Sequence, residues 1–181
     1  MMPATIPTLE TERLILRGFQ LEDASEFERL IAPQEVTDGT LSFPHPVPEG
    51  WGIERINRTL ERFASGEHNE FAICTRESNK LIGGIGLDVN TRHKRGHLGY
   101  WLGVDFWRQG YATEAASAVL DYGFHTLGLH RIEAGHYPRN PASGRVLEKI
   151  GMRREGLMRG DLLKGEQFED TVMYARLRTD F

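Results

Sequence analysis

The chain has 181 residues, of which 39% are hydrophobic and 27% charged, with a formal net charge of −4 and a pI near 6.0. That length suits one domain over residues 1–181 with a sizeable core, and the mild acidity is a poor match to nucleic-acid binding, which needs a basic footprint against phosphates. A lone cysteine, Cys74, and seven histidines scattered without ligand spacing exclude a disulfide and predict no metal, while the absence of a basic leader or membrane-length apolar run predicts a cytoplasmic protein.

In chain order, residues 13–17 (Arg13-Leu14-Ile15-Leu16-Arg17) form a short β-prone run, read as a structural edge. A helix opens near Glu22 or Asp23, with Ala24, Phe27, Leu30 and Ile31 on one face. From residue 33 to 51 the prolines 33, 44, 46 and 48 and the glycines 39, 50 and 52 predict a loop without regular helix. Phe43, Val47 and Trp51 in that loop either pack beneath it or line a pocket. A helix over 53–63 follows, then strands over 71–74 and 81–87 around a turn at 77–80. Gly83-Gly84-Ile85-Gly86 precedes no helix, so its glycines signal close packing or a bulge rather than a phosphate loop.

A basic turn at 90–96 leads into a central strand with Leu98, Tyr100 and Leu102 on one side and His97 and Trp101 on the other. Gly110 opens a helix to Leu127, a strand spans 131–137, a helix capped by Asn140 ends at Gly151, and strands over 154–163 and 168–177 form a hairpin around Lys164-Gly165-Glu166. Seven strands and four helices in this order predict a three-layer α/β domain, a mixed central sheet whose middle strands are joined in parallel by a right-handed helical crossover.

The chemistry gathers at Trp107-Arg108-Gln109-Gly110-Tyr111-Ala112, where a loop meets a helix start. The first amides of a helix lack acceptors and carry partial positive charge, Arg108 adds a full one, and bare Gly110 lets an anion approach closely. Neither G-x-x-x-x-G-K-[ST] nor a G-x-G-x-x-G after a first strand is present. The six residues resemble the pyrophosphate loop Q/R-x-x-G-x-G/A of the GNAT acetyltransferases, with Trp107 departing at the first position. Gly99-Tyr100-Trp101-Leu102, Gly110-Tyr111-Ala112-Thr113-Glu114-Ala115, Thr11-Glu12-Arg13-Leu14-Ile15-Leu16-Arg17 and Asp170-Thr171-Val172-Met173-Tyr174-Ala175 are similar to the subgroup that acetylates N-terminal alanines of ribosomal proteins.

The resemblance implies acetyl-coenzyme A as co-substrate, bound by Leu102, Gly103, Val104, Arg108, Gln109, Gly110, Tyr111, Ala112 and Thr113. It also implies that Asn140 bonds the coenzyme arm and that Ser143 lies near the thiol. The loop before Trp51 would face the acceptor, with Phe43, Trp51 and Trp101 as candidate contacts. The tyrosine that many members place seven residues after the asparagine is Leu147 here, which leaves Ser143 for the departing thiolate.

The acceptor narrows by acid–base arithmetic. An α-amine of pKa near 7.8 is roughly 10% neutral at pH 7, whereas a lysine needs about 3.4 units of help, so an N-terminal amine requires only a modest base. His97 is that candidate, although the subgroup often carries glutamate at its place. Backbone N–H groups near 102–104 would polarise the thioester carbonyl if the strand splays there, and Asp161 and Glu166 are alternative groups for orienting the amine. A small-amine acetyltransferase and a catalytically inactive coenzyme sensor are the rival readings, and assembly as monomer or homodimer stays open.

Overall fold

Alternation of Leu14 and Leu16 against polar neighbours builds β2 (Leu14–Gly18), and β1 (Leu9–Glu10) pairs beside it. The computed structural model describes residues 6–65 and 68–180; the stretch read as lacking a leader therefore falls largely outside the described residues. The chain continues through α1 (Ala24–Ile31), α2 (Gln34–Asp38), α3 (Trp51–Ala64), β3 (His68–Thr75), β4 (Leu81–Asn90) and β5 (Arg95–Leu102). It then forms α4 (Tyr111–Asp121), β6 (Arg131–His136), α5 (Pro141–Lys149), β7 (Arg153–Lys164) and β8 (Gln167–Leu177). All eight strands join one mixed sheet in the order β1-β2-β3-β4-β5-β6-β8-β7, and β5 and β6 are its parallel pair, connected through α4.

Three elements differ from the sequence reading. β1 has two residues and exists because Leu9 and Glu10 lie opposite Leu16 and Ile15, a pairing without a local signal. The loop from 33 to 51 does contain a helix: Pro33 stands at the N-cap of α2, Gly39 at its C-cap, and the remaining prolines all follow it. The helix opened by Gly110 keeps α-helical bonding only to Asp121, and a π turn over Tyr122–Thr126 carries the chain to Gly128, whose φ of +67° ends it.

The sheet buries a core on each face. Leu16, Phe71, Ile85, Leu98, Val119 and Leu147 belong to the cluster beneath α4 and α5. Phe19, Phe27, Phe43, Ile56 and Trp101 belong to the cluster beneath α1 to α3, and Phe27, Phe43 and Trp101 meet edge to face at centroid distances of 4.8 to 5.8 Å. The β4 glycines admit this packing, since a Cβ at Gly84 would lie 2.6 Å from Trp101 Nε1.

Under α3 lies a buried ionic group. Glu70, 4% exposed, accepts from Arg55 Nη2 at 2.7 and 3.0 Å and from the Thr59 hydroxyl at 3.0 Å, and it faces His68 Nε2 at 3.0 Å. His68 Nδ1 lies 2.8 Å from Asp88, an ion-pair contact off the direction of a straight hydrogen bond, and Asp88 also takes Arg62 at 2.6 Å. Burial opposes charge on His68, but the two carboxylates outweigh it and hold the imidazolium above its ordinary pKa. Asp88 goes the other way: burial raises it, and His68 and Arg62 together bring it down to about 2.

Candidate active site

The site begins where β5 and β6 part. They pair at Arg95↔Arg131, Gly96↔Ile132 and His97↔Glu133, after which β5 runs on to Leu102 and β6 to His136 without further partners between them. On its other edge β5 pairs with β4 along its whole length, from Asn90↔Arg95 to Gly83↔Leu102. The Gly103 N–H continues that ladder by donating to the Ile82 carbonyl at 3.0 Å. In an antiparallel ladder successive residues turn their amides to opposite edges, so Tyr100 and Leu102 direct theirs away from β4 and into the cleft. The Leu102 carbonyl confirms this direction by accepting from Trp107 Nε1 at 2.8 Å. The expectation that Gly103 offers its amide to the coenzyme is thereby corrected, because the sheet holds it; Leu102 remains, and Val104 opens a 3-10 turn whose first amides lack acceptors within the turn.

Above the cleft, Arg108 and Gly110 take left-handed backbone conformations, φ +61° and +83°, which curl the loop into a concavity at the N-terminus of α4. A Cβ at Gly110 would meet a single neighbour, Arg13 Nη2 at 3.3 Å. That open, cationic cradle fits a phosphate group, with Tyr111, Ala112 and Thr113 forming the first turn and Gln109 fixed by its side-chain bond to the Asp105 carbonyl at 2.8 Å.

Arg13 is the residue the sequence reading left at a structural edge. Its guanidinium donates to Glu114 at 2.7 Å and to the Gln109 carbonyl at 3.0 Å, and it stacks 4.6 Å from the Tyr111 ring centroid. Thr11 also donates to Glu114, at 2.6 Å. Burial pushes the Glu114 carboxyl up, but the bonds from Thr11 and Arg13 outweigh it and keep it ionised below its usual range. The two sequence motifs are thus one brace, made by residues roughly a hundred positions apart; no local pattern signals it.

On the opposite wall Asn140 caps α5. Its Oδ1 accepts from the Ser143 N–H at 3.3 Å, and its amide nitrogen lies on the Gly39 side, 3.7 Å from where a Cβ on Gly39 would stand. Ser143, half-buried, sits in the first turn, and its Oγ lies 2.8 Å from the Tyr100 hydroxyl. Leu147 is fully buried core.

His97 lies on the other face, exposed, with Asp88 across one strand and Glu133 across the other. All three line an open recess of about 500 Å³ beside Arg62, Asn90 and Arg95. His97 and Ser143 are therefore not brought together: His97 stands in the part of β5 still paired with β6, whereas Ser143 meets Tyr100 on the open part. Gly99, between them in sequence, is exposed and would meet nothing within 4 Å if it carried a Cβ.

The aromatic candidates pack together: Phe43 (7% exposed) and Trp101 (8%) meet each other and Phe27, and the half-buried Trp51 joins them with its ring 5.6 Å from Phe43 and 6.0 Å from Phe27. Asp161 is half-buried and Glu166 exposed, both on the β7–β8 hairpin. From that hairpin Lys164 Nζ donates to the carbonyls of Thr37, Asp38 and Thr40 at 2.5, 3.0 and 2.6 Å, so the end of α2 and the hairpin are tied together.

A mixed sheet that opens beside a phosphate-sized cradle at a helix start defines an acyl-coenzyme transferase. The profile of the acetyltransferase (GNAT) domain matches residues 13–153, and the chain belongs to that family: it is an acetyl-coenzyme A-dependent N-acetyltransferase. It is 32% identical over 175 residues to the uncharacterized N-acetyltransferase p20 of Bacillus licheniformis, covering 96% of this chain and 98% of that protein. It is 28% identical over 183 residues to the ribosomal protein uS5-alanine N-acetyltransferase of Escherichia coli, covering 96% and 92%. The crystal structure of a GNAT-family acetyltransferase from Bacillus anthracis superposes with a TM-score of 0.84 at 30% identity, covering 96% of this chain and 99% of that one.

Proposed function

We propose that the protein transfers an acetyl group from acetyl-coenzyme A to the α-amine of a protein N-terminus, as the relative from Escherichia coli is named for doing. The observation that supports this reading is the exposed His97, held between Asp88 and Glu133 just before β5 and β6 part, with an open recess beside it. On this reading an amine that enters by that recess meets His97 on its way to the open edge of β5.

In this reading the amides from Arg108 to Thr113, with Arg13, hold the pyrophosphate, and Asn140 holds the pantetheine arm through its amide nitrogen. The amine nitrogen attacks the thioester carbon as His97 takes its proton, directly or through water. Negative charge developing on the carbonyl oxygen is met by the Leu102 N–H in the open edge of β5. When the C–S bond breaks, the electron pair stays on sulfur, and the Ser143 hydroxyl donates a hydrogen bond to it. Phe43 and Trp101 support the acceptor side from below, and Trp51 offers ring surface to the acceptor. Among the described residues no helix is long and apolar enough to cross a membrane, and the cytoplasm is the compartment that goes with a ribosomal-protein acceptor.

Thiol release from acetyl-coenzyme A tests the reading. Peptides with a free N-terminal alanine or serine should be acetylated, and the same peptides with a blocked N-terminus and an internal lysine should not. Turnover confined to polyamines, amino acids or aminoglycosides would overturn it.

A further inference from the structure

We propose that Tyr100 is a positioning residue: its hydroxyl crosses the cleft from β5 to α5 and aims the Ser143 hydroxyl at the departing sulfur. The proposal rests on the reading of Ser143 given above. Tyr100 lies three residues beyond His97, the last β5 residue paired with β6, so it stands on the open part of the strand. Its hydroxyl is 2.8 Å from Ser143 Oγ and 3.1 Å from the Ser143 carbonyl oxygen. This contact, between residues 43 apart in sequence, joins the two walls where their backbones no longer pair.

Two arrangements satisfy this geometry, with the phenol hydrogen on the Ser143 carbonyl and Ser143 Oγ donating to the phenol oxygen, or with the phenol hydrogen on Ser143 Oγ; the positioning role takes the second. A phenol has one hydrogen to donate, and a serine hydroxyl has one hydrogen and two lone pairs. When Tyr100 donates to Ser143 Oγ, the serine hydrogen cannot point back at the phenol and is free to turn toward the cleft. The Ser143 backbone is held independently, through its N–H on Asn140 Oδ1. Without Tyr100 the hydroxyl rotor is set by whatever it finds, and a catalytic hydrogen bond that must form in one geometry loses its advance orientation.

Tyr100 keeps its proton throughout. Burial pushes the phenol up to about 12, only partly offset by the bond to Ser143. An ordinary thiol ionises near 8.5, so passing the phenolic proton to the thiolate would run uphill by about 3.5 units, a factor of over ~10³. The thiolate is neutralised instead by a proton from solvent, matching the one His97 took from the amine, and Tyr100 acts only through Ser143.

The test needs no acceptor. Coenzyme A is bound to the native protein, Tyr100→Phe, Ser143→Ala and the double variant, and the ionisation of its thiol is followed by thiolate absorbance against pH, with the ligand-free protein subtracted. Thermal melts and calorimetric affinity for the coenzyme accompany each variant; the phenylalanine ring keeps the packing of Tyr100 against the α4–α5 core. Expected is a bound thiol that ionises about one unit below the free coenzyme in the native protein, a shift lost in Ser143→Ala and about half lost in Tyr100→Phe. The double variant should match Ser143→Ala. A Tyr100→Phe curve identical to native, with Ser143→Ala shifted, would overturn the positioning role and leave Ser143 standing. A Tyr100→Phe effect that persists undiminished in the Ser143→Ala background would also overturn it, since Tyr100 would then act on the sulfur directly. A Ser143→Ala curve identical to native would instead bring down the Ser143 reading, and the proposal with it.

Discussion

The two edges of β5 are the same stretch of chain put to opposite uses. Toward β4 it is paired along its whole length, and toward β6 only through residues 95–97. An unpaired buried amide or carbonyl costs about 1–3 kcal/mol, so a sheet does not ordinarily leave a strand half-open in its centre. The difference teaches where this fold reserves hydrogen-bonding capacity for a ligand: the closed edge is structure, the open edge is site. The same division separates the residues around it, with Gly103 engaged on the closed side and Leu102 facing the open one.

Breaking the cradle at the top of the open edge should have the largest effect. Gly110→Val places a β-branched side chain at φ +83°, against Arg13, where an anion would sit. Calorimetry should show loss of coenzyme A binding, at least about 100-fold, with melting lowered by no more than the ~1–3 kcal/mol of local strain. Unchanged affinity would move the phosphate site elsewhere.

A contrasting change belongs to the closed side. Arg55→Met leaves Glu70 buried with His68 and Thr59 alone and should destabilise the fold by about 3–5 kcal/mol in denaturant titrations, with coenzyme affinity intact in the folded fraction. The ionic group under α3 also sets a pH window. His68 is held above its unfolded pKa, so its contribution is complete below about 6.5 and is lost as pH rises through the folded value. Asp88 is held down to about 2, so its contribution is present above about 4 and is lost as pH falls toward 2. Asp88→Asn should therefore flatten the acid limb of the stability profile, measured by melting against pH.

His97→Ala should lower turnover by about 10²-fold at neutral pH, and the defect should shrink at higher pH, where the acceptor amine is already neutral. A pH–rate profile superposing on that of the native enzyme would pass the base to Glu133 or to the hairpin carboxylates. The smallest effect is expected from Arg13→Gln, which keeps a donor for the Gln109 carbonyl and removes the charge. Coenzyme affinity should fall by about 10-fold, and the loss should weaken as salt rises, because the guanidinium is partly exposed.

The local signals were legible in the sequence. Gly110 entering α4, Asn140 capping α5 and the Lys164-Gly165-Glu166 turn each depend on residues within a few positions, and the structure places them as read. The short helix α2 was masked by counting its loop's prolines together, although only Pro33 precedes it and can serve it. What escaped reading is non-local: β1 needs Leu16 opposite it, Arg13 needs Glu114, and Tyr100 needs Ser143. In each case the residue's own neighbours are uninformative, because the partner arrives only once the sheet has formed. The splay itself was foreseen as a condition, with the amides near 102–104 as candidates, of which Gly103 is taken by the Ile82 carbonyl.

Lys164 carries a further consequence. Its ammonium is wrapped by three carbonyls at the end of α2, and burial among them pulls its pKa below the usual lysine value. A cation so fully occupied has little charge left to offer an incoming peptide, yet it fixes how far apart the hairpin and the helix end can stand.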